Sequence, residues 1–422
     1  MSMMSKDYAV YLPAVNSNYA SEVLKPIKPN RSFPKGYCLK DLIFWDKRNK
    51  LWHHNHVLHS VGLHKYGNAI DNAITQMGKT DYVLVGDSGG FQIGKGKLNG
   101  YKPLYSGMAC DKAVEVWKDA FELKRWIVDF LETHCDYAMT LDMPLWVLDK
   151  GNETSPFHKC TKDELTALTV SNLKFIDTHR KGITKWLNVI QGCDEQGIKA
   201  WWDAVKWFDC SGYALGGGSG KGGSIKGVLT TLLMMHEEGY LQGKEWIHVL
   251  GVSTPMWAIF FTAIQKALRK TLKSDIRISF DSSSPFRDGG EWEKVCTLPT
   301  FDAKLSTWTI GAEKCKQSKT LVGSDEPFPY PSAFGELLTW GDFNVRGGAW
   351  DARNFDTVSN LLLVNHNVWT YLTAFEMANQ IAFDEGDGVL PYQWASVLDL
   401  ISGIFESKDW RCKIKSSDKL FN

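Results

Sequence analysis

From Asp81 onward, apolar runs and helical periods alternate along the chain. Tyr82-Val83-Leu84-Val85 is a run of the kind that makes a strand buried on both faces, and it stops in Gly86-Asp87-Ser88-Gly89-Gly90-Phe91-Gln92. Apolar residues then recur at helical spacing between Asp111 and His134. The alternation continues with a strand at Tyr137 to Leu141 ending in Asp142, and a helix from about Lys162 to Lys181. Next come a strand at Trp186 to Ile190 ending in Gln191-Gly192, and a Trp-rich helix from about Gln196 to Phe208. Gly212 to Leu215 leads into a glycine run, Gly216 to Gly223, before a helix at about Ile225 to Glu238. Trp246 to Leu250 ends in Gly251 and is followed by a helix from Met256 to Leu272. The last strand carries Ile276, Ile278 and Phe280 and runs out into Asp281-Ser282-Ser283-Ser284-Pro285. With an N-terminal strand at Tyr8 to Val15, the pattern predicts an α/β fold with a parallel (β/α) barrel; a doubly wound sheet is the other arrangement it allows.

Outside this region the pattern is weaker. The segment up to about Lys50, with Pro26, Pro29 and Pro34, reads as an irregular rim. Asp288 to about Arg353 reads as an irregular insertion or lid rich in aromatics, with Trp292, Trp308, Trp340 and Trp350. Amphipathic helices are expected at Asn360 to Ala382 and Tyr392 to Phe405, and then a basic tail from Lys408 to Lys419. The division this suggests is a barrel core with its rim over residues 1–290, and an insertion with C-terminal helices over 291–422.

Composition narrows the partners only slightly. The 422 residues hold 48 Lys plus Arg against 48 Asp plus Glu, so a polyanion would have to be held by a local patch. Nine scattered cysteines without a secretion signal suggest free thiols in a reducing cytoplasm. No membrane span is visible. Of the 18 tryptophans, most are expected in packing, with some free to stack on bases.

In a barrel the strand ends share one face, so Asp87, Asp142, Gln191, Gly216, Gly217, Gly251 and Asp281 would converge on one pocket. Carboxylates around a pocket with a Gln and exposed glycine backbone suit displacement at an anomeric carbon, one Asp attacking and another handling the leaving group's proton. The Gln amide, a carboxylate and a backbone N–H also match the edge of a purine or deazapurine. Another carboxylate chemistry, such as sugar hydrolysis, fits these residues equally well. The glycine run is not a phosphate loop: the first Gly of that motif would fall on Leu215, and Gly222 stands where a Mg-binding Ser or Thr belongs. His53, His54, His56 and His59 have no carboxylate or cysteine close by in sequence, and read as packing and surface histidines before metal ligands.

The ordered set Asp87-Ser88-Gly89-Gly90-Phe91-Gln92, Gln191-Gly192, Tyr213-Ala214-Leu215-Gly216-Gly217, Leu250-Gly251-Val252 and Phe280-Asp281, with Pro285 and Arg287, resembles the queuine/archaeosine tRNA-guanine transglycosylase superfamily. The resemblance covers about residues 80 to 290. It implies a (β/α)8 TIM barrel that exchanges a guanine in a polynucleotide for a 7-deazaguanine base through a covalent glycosyl-aspartate. Asp281 then resembles the nucleophile and Asp87 the general acid/base. Asp142, Gln191, Gly216, Gly217 and Gly218 resemble the base-binding set, and Leu250 and Phe91 its apolar walls.

The departures carry information too. The tRNA enzymes have a Cys-x-Cys-x-x-Cys ahead of the His that matches His366, forming a structural zinc site; Cys296 and Cys315 lie in this region at the wrong spacing, so no cofactor and no structural zinc is expected. Gly218 and Gly222 replace a Leu and a loop-buttressing Glu, which favours a neutral, preQ0-like incoming base over an aminomethyl one. Met143-Pro144 also replaces the usual residues. The chain thus looks most like the phage and bacterial branch that modifies DNA, implying a cytoplasmic DNA-guanine transglycosylase, working alone or as a homodimer. A tRNA-guanine transglycosylase is the alternative, and a non-catalytic partner subunit a second. DNA contacts are expected from Arg287, Arg346 and Arg353 and from Arg411, Lys413 and Lys415 in the tail, with aromatic wedges from the insertion assisting base flipping.

Overall fold

The computed structural model describes residues 7–29, 31–77, 82–216, 224–345, 355–384 and 389–421. Eight parallel strands form a barrel: β1 (Val10–Pro13), β2 (His56–Ser60), β3 (Val83–Asp87), β4 (Tyr137–Met139), β5 (Lys185–Ile190), β6 (Gly212–Leu215), β7 (Trp246–Val249) and β8 (Arg277–Ser282). The order is β1-β8-β7-β6-β5-β4-β3-β2. The ends of that series meet through a parallel bridge between Ala14 and Leu58, where the Val15 N–H donates to the Leu58 carbonyl at 2.9 Å. The fold is therefore a (β/α)8 barrel, and the doubly wound alternative falls.

Alternation along the strands sorts the side chains. Val10, Leu12, Leu58, Val85, Met139, Leu187, Val189, Ala214 and Trp246 fill the barrel interior. Their neighbours, such as Tyr11, Leu84, Ile247, Ile278 and Phe280, belong to the larger core beneath the helices. Because side chains repeat every two residues, the inward face of β3 continues from Val85 to Asp87, that of β5 from Val189 to Gln191, and that of β8 from Ser279 to Asp281. The apolar interior ends where the acidic positions begin.

The helices start where side chains can cap them. Thr161 forms a capping box with Glu164 ahead of the helix Lys162–His179. The Asp194 carboxylate accepts from the Gly197 N–H at 2.7 Å, and Thr254 caps the helix Pro255–Leu272, whose Pro sits in the first turn.

Several expectations need correction. The histidine cluster conceals a strand, β2, that the apolar pattern does not reveal: Val57 and His59 face the helices while His56, Leu58 and Ser60 face inward. His54 and His59 bond to backbone carbonyls, Nε2 to Tyr11 O at 2.9 Å and Nδ1 to Val15 O at 2.7 Å. The single helix expected over Asp111 to His134 is two, Cys110–Lys118 and Phe121–His134, because the Phe121 N–H turns back to the Asp119 carbonyl. The segment before Lys50 is more than a rim, since Phe44 and Trp45 are fully buried.

The C-terminal helix Thr357–Phe383 is buried around most of its circumference instead of being amphipathic, because it is sandwiched. On the barrel side Phe375 packs its ring 4.8 Å from Tyr11 and 5.3 Å from Phe280. On the other side it braces the insertion: the Asn367 Oδ1 accepts from the Cys296 N–H at 2.8 Å, and the His366 Nε2 donates to the Cys296 carbonyl at 3.0 Å. The insertion itself contains an antiparallel pair, β9 (Lys294–Thr297) with β10 (Gly311–Lys314). Cys110 and Cys160 form a disulfide, so the thiols are not all free. Compartment statistics do not register that the fold brings these two Cα atoms within 6.2 Å. No helix among the described residues is long and apolar enough to cross a membrane.

Candidate active site

Asp281 ends the inward face of β8, and the turn after β7 reaches it. Gly251 adopts φ +72°, a conformation open to glycine, and its N–H donates to Asp281 Oδ1 at 2.8 Å. The His248 Nε2 lies 3.2 Å from the same oxygen. Asp281 is buried apart from a residual 8%.

Asp87 ends β3 in register with Ser60 of β2. Burial raises its pKa, and the nearby Asp281 raises it further; the Ser60 hydroxyl and the Gly89 N–H oppose the shift. The turn that follows depends on Gly89 at φ +85°, where a Cβ would meet the Gly62 backbone at 2.8 Å. That turn places Gly90 beside Asp142, with space for a Cβ 3.5 Å from Oδ1.

Asp142 stands just past β4 on a loop held by the helix Lys162–His179. Thr169 accepts from the Met143 N–H at 2.9 Å, and the Asn172 amide donates to the Leu141 carbonyl at 3.0 Å. Burial, then the Asp87 charge, pushes the Asp142 carboxyl up to about 7. Gln191 meets it from β5. Its Oε1 accepts from the Leu145 N–H at 2.8 Å, which fixes the amide's orientation. Its Nε2 donates to Asp142 Oδ2 at 2.6 Å and to the Met143 carbonyl at 3.1 Å. Both amide hydrogens are thus engaged, so Gln191 acts first as the clamp on Asp142 and would have to release a bond to donate to a ligand.

The structure therefore brings Asp87, Asp142, Gln191 and Asp281 together. A cleft lined by Gln191, Gly216 and Leu250, with Leu215, Val249 and Trp257 among its apolar residues, opens beside Gln191; none of the three aspartates lines it. Leu250 packs so closely on Gly216 that a Cβ there would lie 2.9 Å from its Cδ1. Phe91 is 60% exposed on the short helix Gly90–Gly94, its ring 5.4 Å from Trp146, over which the Lys95 ammonium sits at 4.9 Å. Gly217 and Gly218 lie outside the described residues, as do Arg346 and Arg353.

The remaining expected contacts are scattered. Arg287 is exposed and stacks 4.6 Å from Trp292, with Lys294 5.0 Å from the same ring. Of the insertion's tryptophans, Trp292 is exposed, but Trp308 and Trp340 are buried in packing and cannot serve as wedges; Trp350 lies outside the described residues. Lys413 and Lys415 are exposed on the helix Trp410–Ser416, whereas Arg411 pairs with Glu195 and Glu237.

Sequence reasoning missed His248, Ser279 and Ser60. All three stand on inward faces, Ser279 two residues before Asp281 and His248 two before Leu250. Counting back by two along β7 and β8 would have found His248 and Ser279; Ser60 stands on β2, which the apolar pattern does not reveal.

Fold and site together define a (β/α)8 barrel with three carboxyl groups at the C-terminal ends of its strands, where barrels of this type carry their chemistry. No family model matches the chain, and no curated protein matches it.

Proposed function

We propose that this chain is a guanine transglycosylase that exchanges guanine in DNA for a preQ0-like 7-deazaguanine. The observation that carries the reading is the division of labour among the carboxyl groups. Asp281 is held by two donors on one oxygen, Asp87 is shifted toward its acid form, and Asp142 is clamped by Gln191 beside an apolar cleft.

In this reading Asp142 accepts from the N–H groups on the guanine edge, between Phe91 and Leu250 as apolar walls. Asp281 attacks C1′ as the C1′–N bond to guanine breaks, giving a glycosyl-aspartate ester, while Asp87 gives its proton to the departing base. The incoming 7-deazaguanine returns a proton to Asp87 and attacks C1′, releasing Asp281. Atoms and protons balance without any further reactant. DNA is favoured over tRNA by the motif departures around residues 218 to 222 and by the missing cysteine triplet. Exposed Trp292, flanked by Arg287 and Lys294, offers a stacking and phosphate-binding surface for a strand whose guanine is flipped out.

Mass spectrometry of nucleosides from DNA and from tRNA, with and without expression of the chain in cells supplied with preQ0, tests this. A 7-deazaguanine nucleoside in DNA is expected, its mass identifying the inserted base. Its appearance in tRNA alone would overturn the DNA assignment, and its absence from both the transglycosylase reading.

A further inference from the structure

A column of polar groups crosses the barrel interior beneath Asp281. Trp246 and His248 are inward neighbours on β7, Ser279 and Asp281 on β8, and His248 stands in register with Ser279. The Trp246 Nε1 lies 2.7 Å from Ser279 Oγ, that oxygen 2.8 Å from His248 Nδ1, and His248 Nε2 3.2 Å from Asp281 Oδ1. His248 and Ser279 are fully buried.

We infer that His248, aligned by Ser279 and Trp246, is a positioning residue that fixes one oxygen of Asp281 and leaves the other for attack. Its catalytic meaning rests on the reading of Asp281 as the nucleophile. The hydrogen placement follows from the donor inventory. The indole N–H can only donate, so Ser279 Oγ accepts from it; among the described residues His248 Nδ1 is then the one acceptor for the hydroxyl's own hydrogen, which would otherwise stay unbonded in a fully buried site. An imidazole that accepts at Nδ1 carries its hydrogen on Nε2, aimed at the carboxylate.

The column therefore delivers one neutral donor to Oδ1, and the Gly251 N–H delivers a second to the same atom. No described residue donates to Oδ2. Two donors on one oxygen stop rotation of the carboxylate, while a neutral imidazole, unlike an Arg or Lys, leaves its charge uncompensated. Buried polar groups in such a chain are satisfied only if each points the right way, so loss of one member disorders the next.

Two measurements test this. In protein labelled with ¹⁵N-histidine, His248 is expected as the Nε2–H tautomer at pH 7, giving way to a mixture in Ser279→Ala. An Nδ1–H tautomer or an imidazolium would overturn the inference, whatever the substrate. In single-turnover formation of the protein–DNA adduct, His248→Phe is expected to slow the step on the order of 10²-fold with base affinity unchanged. His248→Gln, which keeps an N–H donor, should restore most of the loss. An unchanged rate in His248→Phe would overturn the positioning role. Should His248→Phe fail to fold, Ser279→Ala takes its place, with a loss of about tenfold expected from one hydrogen bond and an unchanged rate again overturning the role. If wild type forms no adduct with DNA or tRNA, the transglycosylase reading falls, and the tautomer still decides the hydrogen-bond column.

Discussion

Asp281 and Asp87 differ in their hydrogen bonding, and substitution should separate them. In the proposed exchange, Asp281→Asn keeps the shape but removes the attacking oxygen, so wild type incubated with DNA and a slow incoming base should give a denaturant-resistant protein–DNA adduct and the variant none, while both should bind DNA. An adduct in the variant would transfer the role to Asp142. Asp87→Asn retains the nucleophile but cannot protonate the leaving base, so exchange should slow by about 10² to 10⁴ without loss of base binding. Asp142 brings a pH signature. Its carboxyl is pushed up to about 7, and only the ionised form accepts two N–H groups from a base edge, so calorimetric affinity for the free base should rise as pH rises through about 7. The same shift acts on stability with the opposite sign. The folded chain holds a proton that the unfolded chain loses near pH 4, so this group's stabilisation declines between about pH 4 and 7 as pH rises, and Asp142→Asn should remove both trends.

Among the elements, the strands with continuous apolar runs are the legible ones, because burial on both faces leaves no polar position to confuse the pattern. β2 is not legible: His56, His59 and Ser60 look polar in sequence, yet neutral histidines that bond to backbone or side-chain acceptors can be buried as fully as leucine. The four site residues read from strand ends do gather, but Gln191 reads as a ligand donor in sequence because its clamp on Asp142 arises between two strands. The helix Thr357–Phe383 misleads for a related reason, since an all-round apolar surface has no preferred face when a barrel lies on one side and an insertion on the other. Its barrel side should dominate stability. Phe375→Ala removes a ring buried against Tyr11, Phe280 and Tyr371 and should cost about 3–5 kcal/mol in chemical denaturation. Met377→Ala, 37% exposed on the same helix, should stay within about 0.5 kcal/mol.

For the molecule as a whole, zero net charge means that the nucleic-acid affinity the proposed function requires must come from local groups. Arg287→Glu is expected to flatten the dependence of log affinity on log salt by about 0.9, the share of one phosphate no longer neutralised, and the Lys413→Glu, Lys415→Glu pair by about twice that. An unchanged slope in either case removes that group from the footprint. Chain order adds a constraint on biosynthesis. Tyr11 bonds to the Ser282 carbonyl across 271 residues, so the barrel cannot close until nearly three hundred residues have left the ribosome. About 100 more separate Ser282 from Phe383, the end of the helix that covers Tyr11 and Phe280. At about 5–20 residues per second, the nascent chain carries that aromatic seam uncovered for about 5–20 s, long enough for a chaperone to bind it before the covering helix arrives.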